Sequence, residues 1–191
     1  MTAKDANEQP AIRFEPFGPD RIEEIRPWLD DPDVLRFTRI PDPQPPKFLE
    51  GWLRSYEDGR RSGTREAFWV IDADEALVGL AVVPKIDTET RTAELGYVVA
   101  PGARRRGIAT AALGLLSART FAERGMVRLE LLIGIGNDAS KRVAANCGYT
   151  FEGVLRSLYF KQGRHEDTEI WSRLANDPDP AGDYRARISR P

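Results

Sequence analysis

The chain has 191 residues, with 28 Lys+Arg, 30 Asp+Glu, one His and a formal net charge of −2. Its 41% hydrophobic content is too high for a disordered chain, and no run approaches the roughly 18 apolar residues of a membrane span. A single cysteine, Cys147, excludes an internal disulfide framework, and with only one His there is no Cys/His metal set. A near-neutral chain also lacks the positive surface that non-specific nucleic-acid binding needs. No basic-then-apolar leader stands at the start. These features point to one soluble, cytoplasmic domain over residues 11–174, with no metal and with neither nucleic acid nor membrane as partner. Flexible polar tails are expected at 1–10 and 175–191.

Ile12 to Phe17 alternates apolar and polar residues and reads as a strand. Asp20 is expected to cap a helix carrying Ile22, Ile25, Trp28 and Leu29 on one face, broken by Asp31-Pro32-Asp33. Four prolines between Pro41 and Pro46 make a loop. A helix follows, with Phe48, Leu49, Trp52, Leu53 and Tyr56 on its inner face. Ala67–Asp72 and Ala76–Val83 read as a hairpin, and Thr92–Val99 as the next strand. Pro101-Gly102 turns the chain into a long helix from Gly107 to Arg124, with Ile108, Ala112, Leu115, Leu116 and Ala122 as apolar positions and Gly125 as its stop. Val127–Ile133 is a strand. Asn137 or Asp138 starts another helix that ends near Gly148. Tyr149–Phe160, a Gln162-Gly163 turn and Glu166–Leu174 close the domain as a hairpin. The class is α+β, with one strand–helix–strand crossover at its centre.

Chemistry concentrates where that crossover begins. A strand ends at Val98-Val99, a Gly- and Arg-rich turn carries Arg104, Arg105 and Arg106, and a helix starts at Gly107-Ile108-Ala109-Thr110. The first amides of a helix lack internal partners and carry the positive end of its dipole. Gly107 and Ala109 leave room for a ligand to approach the backbone. With up to three guanidinium groups nearby, the segment suits phosphate or pyrophosphate. It lacks the Lys-Ser/Thr of a P-loop and the three spaced glycines of a dinucleotide fold.

Arg104-Arg105-Arg106-Gly107-Ile108-Ala109 resembles the acyl-CoA signature of the GNAT acetyltransferase superfamily: Gln or Arg, two residues, Gly, one residue, Gly or Ala. Asn137, Ser140, Val143 and Gly148-Tyr149 match the second half of the family pattern. Tyr149–Arg156, Tyr159, Gly163-Arg164 and Asp167, with Trp28-Leu29 and Asp31–Val34, are similar to the branch of ribosomal-protein N-terminal (Rim-type) acetyltransferases. The resemblance implies a mixed, mostly antiparallel sheet of six or seven strands with flanking helices. It also implies a splayed strand pair that binds acyl-CoA.

The activity it implies is acetyl transfer from acetyl-CoA, as co-substrate, to a primary amine by direct attack. The acceptor is a protein or peptide N-terminus or a small amine, and the assembly is a monomer or homodimer. Val98 and Val99 then offer backbone groups to pantetheine, the amides from Arg104 to Thr110 hold pyrophosphate, and Asn137 and Ser140 lie near the thiol. Glu94 occupies the position of a basic carboxylate, against the plainer reading of a surface charge. Ala144 stands where many members keep the tyrosine that protonates the thiolate, which leaves Ser140 as thiol partner. Cys147 reads as packing and His165 as a solvated turn residue. Trp52, Trp69, Tyr97 and Tyr159 line the acceptor pocket or belong to the core. The acidic residues Asp30, Asp31, Asp33 and Asp42 permit a polycationic acceptor. Ala144 also motivates a competing reading, a non-catalytic acyl-CoA-binding module of the same fold.

Overall fold

In the computed structural model, residues 10–161 and 163–180 are described. Strand β1 (Ile12–Pro16) pairs antiparallel with β2 (Glu66–Asp72), β2 with β3 (Leu77–Asp87), and β3 with β4 (Thr92–Val99). Strand β5 (Arg128–Gly134) runs parallel to β4, and β7 (Arg164–Leu174) lies between β5 and β6 (Thr150–Lys161). Among the described residues the seven-stranded order is β1-β2-β3-β4-β5-β7-β6, and β4–β5 is the one parallel pair. The expected crossover between them is made by a long helix, Ile108–Arg124.

Every residue of β2 is buried, because helices cover both faces of the sheet there. On one face Ala93, Leu95, Leu129, Leu131 and Ile133 pack with Ile108, Leu113 and Leu116 of the crossover helix, and with Ala144 and Cys147 near the end of the last helix. On the other face Trp69, Ile71 and Leu80 pack with Phe17, Ile25, Leu49 and Tyr56.

Among the described residues four α-helices flank the sheet: α1 (Pro32–Phe37), α2 (Phe48–Ser62), α3 (Ile108–Arg124) and α4 (Asp138–Asn146). The segment expected as an Asp20-capped α-helix is instead a 3-10 helix over Pro19–Asp30, entered from Gly18 with no side-chain cap. Pro27 explains the difference. It has no N–H to give and its ring would strike the carbonyl four residues back in an α-helix. Asp31 does more than break that segment: its carboxylate accepts from the Asp33 and Val34 amides and caps α1, a short helix the sequence reading missed. Asn137 is the residue that caps α4. Ala122, expected on the inner face of α3, is exposed.

The expected N-terminal tail falls on residues 1–9, and most of the C-terminal one on 181–191, outside the described residues; Gln162 of the expected turn is outside them too. Asp179 pairs with the buried Arg173 at 2.8 Å, and an Asp177 oxygen accepts from the Leu174 amide. Among the described residues no helix is long and apolar enough to cross a membrane.

Candidate active site

Strands β4 and β5 are paired only through Thr92–Arg128, Ala93–Leu129 and Glu94–Glu130. Past Glu94 they separate, so the backbone from Leu95 to Val99 has no β5 partner. At the same point the β3–β4 register shifts: Val82 opposes Gly96 but Lys85 opposes Glu94, leaving Val83 and Pro84 across from Leu95. Such a bulge kinks a strand and raises its twist, and Pro84 suits it because it has no N–H to place in the ladder. The result is a notch between β4 and β5, lined by backbone donors and acceptors. Val98 and Val99, both half-buried, lie along it.

One end of the notch leads to the N-terminus of α3. After a 3-10 turn at Pro101–Ala103, Arg105 and Gly107 take left-handed conformations, φ 65° and 77°, and the helix begins at Ile108. Among the described residues no side chain caps it, so the first turn, with Ile108, Ala109 and Thr110, presents the positive end of the dipole outward. A Cβ at Gly107 would lie 3.3 Å from the Pro10 ring, beyond the strain of its positive φ.

The three arginines are not equivalent there. Arg104 pairs with Asp31 at 2.6 Å and Asp33 at 3.2 Å, and Arg106 pairs with Asp72 at 3.2 Å. Arg105 has no carboxylate in pairing range among the described residues. Of the up to three guanidiniums expected at a phosphate, Arg104 instead ties the cap of α1 to the turn, Arg106 is exposed but paired, and Arg105 is exposed with no such pair among the described residues. The Arg104 contact holds the Asp31 carboxyl below its ordinary range, with help from the two capping amides and against partial burial.

Across the notch, after β5, stands α4. The Asn137 side chain accepts from the Ser140 amide at 3.1 Å, so its carbonyl is used as the cap. Tyr97 of β4 packs on the same side of the sheet, and its hydroxyl is buried with no hydrogen-bond partner among the described residues. Ala144 is fully buried and brings only a methyl group. Cys147 is also fully buried; its Sγ lies 3.4 Å from the Thr110 carbonyl, and burial pushes its thiol up to about 12. That environment suits packing rather than nucleophilic attack.

Glu94 sits where the two strands part, facing away from α3 and α4. Arg39, from the segment after α1, places its guanidinium 2.5 Å from the Glu94 carboxylate. The same guanidinium donates to the Tyr159 hydroxyl of β6 and lies over its ring, 4.9 Å from the centroid. Burial raises the Glu94 pKa, and neighbouring Glu130 adds to this; Arg39 opposes both without cancelling them. Arg39 was not legible as a site residue, because nothing in Thr38-Arg39-Ile40 announces a partner 55 positions away. Of the four aromatics considered, Tyr159 joins this cluster. Trp69 and Trp52 pack with Phe17 in the core, and Tyr97 faces α4. Beside the cluster, a cavity of about 280 Å³ is bounded by Arg36, Phe37, Gly134, Gly136 and His165. His165 thus lines a cavity, with its ring against Phe160. Among the described residues no group of three or more His, Cys, Asp or Glu is placed to hold a metal.

A family model described as an acetyltransferase (GNAT) domain matches residues 12–150. The chain belongs to the GNAT acetyltransferase family. This GNAT domain is an N-acetyltransferase that takes its acetyl group from acetyl-CoA, and the resemblance drawn from Arg104–Ala109 is borne out. Over 188 residues, 90% of this chain and 94% of the relative, it is 29% identical to a putative ribosomal N-acetyltransferase, YdaF, of Bacillus subtilis. Its fold is similar to that of the RimL ribosomal L7/L12 α-N-protein acetyltransferase in complex with CoA, with TM-score 0.77, 16% identity and coverage of 85% of this chain and 93% of that one. It is also similar to spermidine N-acetyltransferase from Vibrio cholerae in complex with CoA and spermine, with TM-score 0.75, 19% identity and coverage of 85% and 95%.

Proposed function

We propose that this GNAT enzyme acetylates the N-terminal amine of a protein or peptide, with the acceptor entering from the α1–α2 face and acetyl-CoA from the α3–α4 face. The observation that carries the reading is the position of Glu94: a half-buried carboxylate with a raised pKa at the fork of β4 and β5, on the face opposite α3. A base there takes a proton from the attacking amine. The amine nitrogen bonds to the thioester carbonyl carbon, and the carbonyl oxygen is stabilised by amides of Leu95–Val99 that lack a β5 partner. The C–S bond then breaks toward Ser140, with the charged end of CoA held by the α3 first turn and Arg105. Val98, Val99, Gly107, Ile108, Ala109, Thr110, Asn137 and Ser140 form the donor channel. Arg104 and Arg106 shape the turn through their own ion pairs.

A polyamine acceptor is less well served. Asp31 and Asp33, which a polycation would seek, are matched by Arg104, and Glu94 is matched by Arg39. The test is isotope-labelled acetyl-CoA with purified protein and a bacterial extract split into protein and small-molecule fractions. Label on protein N-termini supports the reading, whereas label confined to a small amine replaces the acceptor. Tight CoA binding with label in neither fraction supports the non-catalytic module instead.

A further inference from the structure

Strands β6 and β7 change register between Leu155 and Tyr159. Leu155 opposes Thr168 and Tyr159 opposes Glu166, so Arg156, Ser157 and Leu158 stand across from Asp167 alone. Two extra residues on one strand keep each later side chain on its face but move it by two places. Had the ladder continued evenly from the Leu155–Thr168 pair, Tyr159 would oppose Arg164, about 7 Å farther along. Opposite Glu166 instead, its hydroxyl accepts from the Arg39 Nε at 3.0 Å, and its ring lies under the same guanidinium. That guanidinium holds the Glu94 carboxylate. The bulge in β6 is therefore what brings Tyr159 within reach of Arg39.

Such a bulge has to be held. Ser157, at its centre, is left-handed with φ 53°, a conformation that residues other than glycine adopt at a cost. A bulged residue also leaves its backbone groups outside the ladder. Asp167 supplies the missing acceptor: its Oδ1 takes the Ser157 amide at 2.8 Å. A charged acceptor makes this bond stronger than the ladder bond it replaces. The Ser157 carbonyl lies 3.3 Å from the His165 Nδ1, and since a carbonyl only accepts, the ring nitrogen donates. Asp167 and His165 flank Glu166, the residue across from Tyr159.

We propose that Asp167 is a positioning residue for the acetyl-transfer site: by holding the Ser157 amide it fixes the β6 bulge, which sets Tyr159 under Arg39 and Arg39 on Glu94. The chain of contacts does not depend on which amine is acetylated. Its consequence for catalysis rests on the reading of Glu94 as base. Burial raises the Glu94 pKa, and Arg39 is the strongest influence against it. Glu130 of β5, Lys85 of β3 and Tyr56 of α2 also act on Glu94, and Tyr159 faces it through Arg39. Loss of the Asp167 bond releases Tyr159, loosens Arg39 and leaves burial less opposed.

The test reads Glu94 directly. Its carboxyl carbon resonance, assigned by its absence in Glu94→Gln, is titrated by carbon-13 NMR. The proteins are wild type, Asp167→Ala, Asp167→Asn, Tyr159→Phe, Arg39→Met and the Asp167→Ala/Arg39→Met double variant. Asp167→Ala should raise the Glu94 pKa by about half a unit. Deleting a negative charge would by itself lower it, so a rise reports position and not the charge of Asp167. Asp167→Asn keeps an oxygen for the Ser157 amide and should stay within about 0.2 units of wild type. Tyr159→Phe should move Glu94 in the same direction as Asp167→Ala, and the double variant should match Arg39→Met alone. An unmoved Glu94 in Asp167→Ala overturns the proposal, as does an Asp167→Asn titration equal to that of Asp167→Ala. A further rise in the double variant overturns the route through Arg39. Should Asp167→Ala not fold, an unmoved Glu94 in Tyr159→Phe overturns the same chain. The acid limb of kcat/KM for acetyl transfer is measured on the same variants and should follow the carboxyl. A limb that stays in place while the carboxyl moves overturns Glu94 as base and leaves the positioning chain standing.

Discussion

Arg39 holds the Glu94 carboxylate with its guanidinium and, on the same group, accommodates the hydroxyl and ring of Tyr159. Three remote segments, the turn after α1, strand β4 and strand β6, thus converge on one titrating group. Burial pushes Glu94 up and Arg39 pulls it back. Arg39→Met keeps the stem and deletes the charge, so the Glu94 pKa should rise further, by about one unit. The deprotonated form is the working base, so the acid limb of the kcat/KM profile should move to higher pH by the same amount. Glu94→Gln should remove that limb and lower kcat by about 10²–10⁴-fold while leaving acetyl-CoA affinity within about twofold. Both follow from pH–rate profiles with the labelled acceptor. Stability has the opposite sense: a carboxyl whose folded pKa is raised costs stability as pH rises from its unfolded value through the folded one.

Gly107 enters α3 from a left-handed conformation with Pro10 against it. Gly107→Val should weaken acetyl-CoA binding by more than about tenfold, roughly 1.4 kcal/mol, because the side chain strains the turn and covers the helix N-terminus. Isothermal titration with acetyl-CoA checks this, and unchanged affinity would remove the anion site from α3.

The separate duties of Arg104 and Arg105 predict separable phenotypes. Arg104→Ala should lower unfolding stability by about 1 kcal/mol, a modest figure because the pair is partly exposed, with CoA affinity reduced less than in Arg105→Ala. Arg105→Ala should leave the urea midpoint unchanged and weaken CoA about tenfold at low salt, less at high salt. The Asp31 contribution is present above the ordinary carboxylate pKa and is lost as pH falls through its lowered value. The Arg104→Ala deficit should therefore shrink in acid.

On the other edge, Arg128 donates to both Glu152 oxygens, at 2.8 and 2.5 Å, and Ser172 adds a third bond at 2.6 Å. These hold the Glu152 carboxyl down at about 2. Its stabilisation is present above the unfolded pKa and is lost as pH falls from there through about 2. Glu152→Gln should flatten the pH dependence of the unfolding midpoint below about pH 4.5, by less than about 1 kcal/mol because the carboxylate is 39% exposed. Thermal melts at pH 3 and pH 7 read the difference.

The crossover β4–α3–β5, the Gly107 entry and the start of α4 at Asn137 or Asp138 were legible because each is written in adjacent residues: alternation, then glycine, then helical period. Glu94 and Ser140 were reachable through the resemblance, which supplies positions but no partners. Arg39 was invisible, since its role exists only where β4 and β6 bring Glu94 and Tyr159 to it. The Arg104–Arg106 cluster was read as a unit because sequence proximity suggests one ligand; the fold instead divides it among Asp31, Asp33, Asp72 and open space. The 3-10 geometry of Pro19–Asp30 was written in Pro27, and the inward-facing apolar spacing outweighed it.

The gap between β4 and β5 gives the donor an architectural duty. A sheet that stops pairing at Glu94 is missing rungs, and a pantetheine arm with its own amides can supply them. Donor binding then acts as the insertion of a strand-like segment, and its free energy is added to the fold as a whole. At 100 times its dissociation constant the donor would contribute about 2.7 kcal/mol to unfolding stability. Amide exchange should slow first at Leu95–Val99, the edge that the missing neighbour leaves bare.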